Sequence, residues 1–219
     1  MEFTRQEMMA IAAGREIQDS DLCIFGVGLS MLAGYFALAY HAPNAKAMTE
    51  GGVYGSSPVG GLPWGIEDNR ISANATCFTG ALDALGFLVA SGRCDLGIIG
   101  AAQIDKFGNV NTTGFWDDPA SPRFGAPKTR LNGSGGANDI ACGCKRVVIM
   151  LMHEKKRFAE KVDYITTPGF IGVRTTAGSI TLWAAVPRPS LRPWESCGRI
   201  PSPRSWSSMR ISPFPVLRK

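Results

Sequence analysis

The stretch LCIFGVGLSMLAGYFALAY, residues 22–40, decides how the rest of the chain is read. Leu22, Cys23, Ile24 and Phe25 offer no polar side chain to turn toward water, so they describe a strand buried on both faces. Gly26-Val27-Gly28 ends the run, and Ser30 stands as the N-cap of an apolar helix reaching to about Tyr40. A strand without alternation, followed at once by a helix, belongs to a parallel sheet covered on both sides.

The pattern repeats in both directions. Upstream, Thr4 and Glu7 make a capping box for a helix with Met8, Met9, Ile11, Ala12 and Ile17 at roughly helical spacing. Downstream, His41-Ala42-Pro43-Asn44 is a turn, and NAKAMTEGGVYG, residues 44–55, carries a strand that delivers Glu50. A helix over 78–90, a strand over 95–99, an all-apolar strand over 147–152, a short charged helix and a strand around Tyr164 and Ile165 complete the series. The expected fold is α/β, three layers α/β/α, with a mostly parallel sheet. In such sheets ligands bind where strands end, which singles out the loops at Gly26, Glu50 and Gly133.

The totals exclude several classes. A length of 219 residues suits one large core with an appendage, and the apolar runs are too short to cross a bilayer, so no membrane partner is expected. The start MEFTRQEMMAIAAGREIQD has no apolar block of signal-peptide type, which makes the cytoplasm the expected location. The net charge of +5 misleads: seven Arg and one Lys against Glu195 alone give residues 171–219 a charge of +7, leaving residues 1–170 at −2. A mildly acidic body offers no nucleic-acid footprint. Cys23, Cys77, Cys94, Cys142, Cys144 and Cys197 lack the spacing of a zinc site or disulfide framework; they read as reduced, mostly core residues, Cys142 and Cys144 among them, with no metal.

Gly26-Val27-Gly28 lacks the third glycine of a dinucleotide fingerprint, since Met31 stands there, and a tight turn accounts for it. GSGGANDI, residues 133–140, reads either as an exposed loop or as a row of backbone N–H groups able to hold an anion or oxyanion. His41 and His153 suit structural places better than a nucleophile pair. Glu50 likewise has two readings: a strand-end charge reaching water, or a carboxylate for which Gly51 and Gly52 make room.

Taken together, GVGLS, MTEGGVYG, GIIGAAQIDKFGNVNTT, PKTRLNGSGGANDIA and KRFAEKVDYITTPGF resemble, in order and spacing, the beta subunit of glutaconate-type class I coenzyme A transferases, over residues 1 to about 170. The resemblance implies that Glu50 is the covalent nucleophile. It puts Gly26, Gly28, Gly51, Gly135 and Gly136 at the substrate or oxyanion positions and makes Gln103, Asp105 and Asn109 supports of the site. It also implies transfer of CoA between an acyl-CoA and a carboxylic or dicarboxylic acid, with coenzyme A as substrate and no metal or redox cofactor. An alpha subunit would complete the active site in a hetero-oligomer. The alternatives are a CoA-thioester hydrolase or decarboxylase of the same fold, or a non-catalytic partner subunit.

Residues 171–219 form a separate, basic segment with seven Pro and eight Ser. It reads as a disordered tail or as the product of a shifted reading frame. Reading Trp194-Glu195-Ser196-Cys197 two nucleotides on, with a TCN serine codon, gives Gly, then Ile or Val, then Met or an aliphatic residue. That strand-like run favours the second reading.

Overall fold

A computed structural model describes residues 3–117, 125–169 and 180–185 of the chain. Helix α1 (Arg5–Gly14) opens on the expected capping box, Thr4 N donating to Glu7 Oε2 at 2.6 Å and Glu7 N to Thr4 Oγ1 at 3.2 Å. Strand β1 (Leu22–Phe25) leads into α2 (Leu29–Tyr40). The cap of α2 is Gly28 rather than Ser30, which is buried inside the first turn. Gly28 has φ 82° and ψ −126°, a conformation open only to a residue without a Cβ, so backbone shape takes the place of a capping side chain.

Strands β2 (Lys46–Met48), β3 (Val53–Tyr54), β4 (Cys77–Phe78) and β5 (Leu96–Gly100) follow. Two short hairpins come next: β6 (Gln103–Ile104) with β7 (Val110–Asn111), and β8 (Gly114–Phe115) with β9 (Thr129–Arg130). Helix α3 (Ala137–Gly143), β10 (Arg146–Met152) and β11 (Ile180–Ala185) come last, and short 3-10 turns lie at Asn69–Ser72 and Lys155–Arg157. The main sheet runs β11-β10-β5-β1-β2-β3-β4, parallel from β11 to β2 and antiparallel at β3 and β4.

The apolar strands bury both faces, as their lack of alternation requires. Cys23, Phe25, Leu96, Ile98, Val148 and Met150 point to the side covered by α1 and α2, among Met9, Ala13, Met31 and Ala33. Ile24, Ile99, Val147, Ile149 and Leu151 point to the other, among Ala84, Val89 and Ile140. That is the three-layer α/β/α arrangement. Buried Asp21, just before β1, receives Arg146 Nη2, while Arg146 Nη1 donates to Glu16 O at 2.8 Å, tying the start of β10 to the α1–β1 connection.

Two expected elements differ. In place of a helix over 78–90 there is a π-helix over Leu82–Val89, with Phe78 in β4. Thr79 is held to the sheet edge by bonds from its N and Oγ1 to Gly52 O, at 2.8 and 3.1 Å, so the helix cannot begin earlier. No strand forms at Tyr164 and Ile165; the pairing falls one step later, where Thr166 N and Thr167 N both donate to Val110 O. The segment 171–219 lies outside the described residues except for β11.

Candidate active site

Strand β2 stops at Met48, and the turn that follows is closed by Gly52 N to Thr49 O and Thr49 N to Val53 O, both 3.0 Å. Glu50 sits at the apex of this turn. Gly52 has φ 89°, and a Cβ there would lie 2.3 Å from Thr79 O, so the turn and the neighbouring strand both require glycine. Gly51 is exposed, and a Cβ added there would find only Thr49 Oγ1 beyond its chain neighbours, at 3.8 Å. Gly52 thus serves the turn, and neither glycine is among the residues lining the cavity beside Glu50.

The space comes from across the fold. A cavity of about 500 Å³ is lined by Gly26, Ser30 and Glu50, by Gly100 at the end of β5 with Ala101 and Ala102 after it, by Thr112, by residues 131–135, and by Arg157. An added Cβ would stand 3.0 Å from both Cδ and Oε1 of Glu50 at Gly136, and 3.6 Å from Oε2 at Gly135. The Gly136 backbone N–H donates to the Glu50 carboxylate. Two glycines thus bring bare backbone against one carboxylate at the N-terminal end of α3.

Burial raises the Glu50 carboxyl above its ordinary range, the Gly136 N–H opposes the rise, and the nearby Asp139 charge adds to it. When ionised, this carboxylate is poorly hydrated and correspondingly nucleophilic. The donor it already holds is placed to follow charge that develops on its own oxygen.

The remaining expected residues divide. Gly26 lines the cavity, whereas Gly28 shapes the turn behind it. Gln103, Asp105 and Asn109 are buried and stand outside the lining. Asp105 Oδ1 accepts from Phe107 N at 2.9 Å and Asn109 N at 3.1 Å, its Oδ2 accepts from Asn109 Nδ2 at 2.9 Å, and Asn109 Oδ1 accepts from Gly169 N at 2.9 Å. Gln103 Oε1 accepts from Asn111 Nδ2 at 3.2 Å and Asp163 N at 2.9 Å. The hairpin so pinned carries Thr112, whose carbonyl accepts from Gly133 N at 2.8 Å and anchors the glycine loop.

Arg157 and Thr112 are cavity residues that sequence reasoning missed. The run around Arg157 reads as a short charged helix, and Thr112 lies in a motif that draws attention to its neighbours. His41 bonds Ile17 O at 3.2 Å, His153 packs on Phe158, and neither lines the cavity. Cys23, Cys94 and Cys144 are buried free thiols; Cys142 and Cys77 are exposed, which corrects the core placement expected for Cys142, since only the Ile140 and Cys144 side of α3 faces the sheet. No cluster of His, Cys, Asp or Glu suited to a metal ion occurs among the described residues.

Comparison with known proteins identifies the family of the chain. A family model described as Coenzyme A transferase matches residues 6–186, a span that takes in β11 and so extends beyond the resemblance visible in the sequence. The beta subunit of glutaconate CoA-transferase from Acidaminococcus fermentans is 36% identical over 174 residues, 77% of this chain and 62% of the relative. The beta subunit of 3-oxoadipate CoA-transferase from Pseudomonas knackmussii is 34% identical over 167 residues, 76% of this chain and 62% of the relative. The chain thus spans 62% of the length of each of these two relatives. The crystal structure of glutaconate coenzyme A-transferase from Acidaminococcus fermentans superposes with a TM-score of 0.72 at 32% identity, covering 83% of this chain and 72% of the other. The decarboxylase AibA/AibB shares the fold at 24% identity, with a TM-score of 0.69 over 84% of this chain and 72% of that one. Matched over most of its length by the family model, the chain belongs to the Coenzyme A transferase family.

Proposed function

We propose that this chain is the beta-type subunit of a CoA-transferase, carrying the covalent nucleophile Glu50 and completed by an alpha-type partner. The observation that carries the reading is the Glu50 carboxylate, desolvated, bonded by the Gly136 N–H and faced by two glycines in a single cavity. A Glu50 oxygen attacks the acyl-CoA thioester carbonyl and expels the CoA thiolate, leaving a mixed anhydride. The thiolate then attacks the Glu50 carbonyl carbon, the acyl group departs as its carboxylate, and Glu50 holds CoA as a thioester. The acceptor acid reverses both steps. In the first step the oxyanion forms on the thioester's carbonyl oxygen; in the second it forms on the Glu50 carbonyl oxygen, where the Gly136 N–H meets it. Coenzyme A takes part as substrate, and the chemistry calls for neither metal nor redox cofactor.

The two relatives are named for glutaconate and 3-oxoadipate, both dicarboxylates, and a dicarboxylate is the acid proposed here. Exposed Phe78, Leu82 and Phe87 support a partner chain next to the site, since the helix bearing Leu82 and Phe87 also reaches Gly136 through Leu85. No helix among the described residues is long and apolar enough to cross a membrane, and the proposal sets the reaction in the cytoplasm.

The test is chemical trapping. Mixed with its partner and an acyl-CoA, the protein should form a thioester that borohydride reduces and hydroxylamine cleaves, mapped by mass to the peptide holding Glu50. A Glu50→Ala variant that transfers CoA at full rate would refute the mechanism. Thioester hydrolysis without transfer would replace the transferase by a hydrolase.

A further inference from the structure

Three segments meet in the wall of the Glu50 cavity. Arg157 Nη1 donates to Ala102 O at 3.3 Å, Ala102 N donates to Asn111 O at 3.2 Å, and Asn111 leads directly into Thr112. Ala102, Thr112 and Arg157 all line the cavity that Glu50 lines. Arg157 does not pair with Glu50; its carboxylate partner is Glu154, reached through Nε at 3.3 Å. The remaining guanidinium N–H groups have no partner among the described residues. Thr112 is in the same condition. Its N donates to Thr166 Oγ1 at 2.9 Å and its carbonyl accepts from Gly133, while its own Oγ1 is buried with nothing to bond.

A buried hydroxyl left without a partner is costly, and an arginine held by two of its N–H groups keeps a planar set of donors in a fixed direction. Both are explained if a ligand supplies the acceptors. We propose that Arg157 and Thr112 form the subsite for the second carboxylate of the acid substrate, with Arg157 as the specificity-determining residue; this rests on the CoA-transfer reading above. The guanidinium fork matches a carboxylate in two parallel hydrogen bonds, and the Thr112 hydroxyl adds a third. The phosphates of coenzyme A are excluded by reach. A compact cavity of about 500 Å³ is about 10 Å across, so a group in contact with it lies near the reacting carbon. The pantetheine arm carries the phosphates well beyond that, whereas the far end of a short-chain diacid stays within it. One end of the cavity substrate is thus bound covalently to Glu50 chemistry and the other is read by charge.

The experiment uses the chain assembled with its partner subunit, acetyl-CoA as donor, and glutarate or pentanoate as acceptor. Their ratio of kcat/KM isolates the second carboxylate. Arg157→Ala should lower the glutarate-to-pentanoate ratio on the order of 100-fold, the usual cost of removing one member of a desolvated charge pair. Arg157→Lys keeps charge without the fork and should lower it about 10-fold. The isosteric Thr112→Val should lower it about 5- to 10-fold. A merely structural role would reduce both acids equally, and equal losses overturn the proposal. If Arg157→Ala fails to assemble, the ratios for Arg157→Lys and Thr112→Val decide by the same criterion. Failure of the unaltered enzyme to form the Glu50 thioester overturns the transfer reading and this subsite with it. A normal thioester with an unmoved ratio overturns the subsite alone.

Discussion

Gly136→Ala should slow the chemistry while leaving the fold standing. Gly136 has φ −81° and ψ 5°, which alanine adopts without strain, so the backbone gives no reason for loss of stability. The added Cβ, however, would lie 3.0 Å from Cδ and Oε1 of Glu50 and 3.2 Å from Leu85 Cδ1. Carbon atoms rest about 3.5–4.0 Å apart, so the contact must open by about 0.5–1 Å. Helix α3 cannot supply that movement readily, because Ile140 is buried against the sheet. The Glu50 side chain is the part free to retreat. A nucleophile displaced by about 1 Å commonly loses about 100-fold in rate, and half that displacement loses less, so a fall of about 10- to 100-fold is expected.

Gly135→Ala gives the opposite pattern. Its Cβ would stand 3.6 Å from Oε2, an ordinary contact, but φ is 48°, a left-handed conformation that costs a non-glycine residue about 1–2 kcal/mol. At about 2–4 °C per kcal/mol for a chain of this size, that variant should melt about 2–8 °C lower with a smaller loss of rate. Rapid-quench measurement of the Glu50 thioester, with thermal melting of the same preparations, separates the two. Adduct formation at the unaltered rate in Gly136→Ala, or a rate loss matched by an equal collapse of its melting temperature, would refute the reasoning.

Three further outcomes follow from the same geometry. Because burial raises the folded-state pKa of Glu50, the unfolded chain loses this proton first, and stability falls as pH rises from the ordinary carboxylate range through the raised value. Glu50→Gln lacks that penalty, so it should melt above the unaltered protein at neutral pH, with the gap closing in acid; parallel melting curves across pH would contradict this. Asp105→Ala strands three hydrogen-bond donors, Phe107 N, Asn109 N and Asn109 Nδ2, and should cost about 3–5 kcal/mol in urea unfolding, a loss under about 1 kcal/mol counting against it. Gly97→Ala would put a Cβ 2.3 Å from Ile140 Cγ2 and overpack β5 against α3, costing about 1–3 kcal/mol. Adding Ile140→Ala should recover part of that loss, and strictly additive effects in the double variant would show that the two sites do not touch.

The alternation of central strands with covering helices was legible in the chain because each central strand is apolar on both sides, and such a segment can lie stably only between two helical layers. Residues 22–25 and 147–152 carry that information alone, as does the capping box at Thr4 and Glu7. Glu50 and the glycine run at 133–136 could likewise be picked out, since a carboxylate at a strand end and several residues without Cβ are local features. What local features could not convey was which of them touch. Gly51 and Gly52 adjoin Glu50 in sequence, yet Gly52 answers to Thr79, just past the end of β4. The glycine that meets the carboxylate is Gly136, eighty-six positions later, brought there by β10, β5 and β1 pairing in parallel. Arg157 illustrates the same limit. On a helix of charged residues its sequence context reads as solvent-facing, and only the bond to Ala102 O turns it toward the cavity. Patterns of burial depend on the residue itself and its near neighbours, so the sequence by itself determined the layers and strands. The composition of the site depends on loops meeting at the ends of parallel strands, a long-range result of sheet order that only the tertiary structure decided.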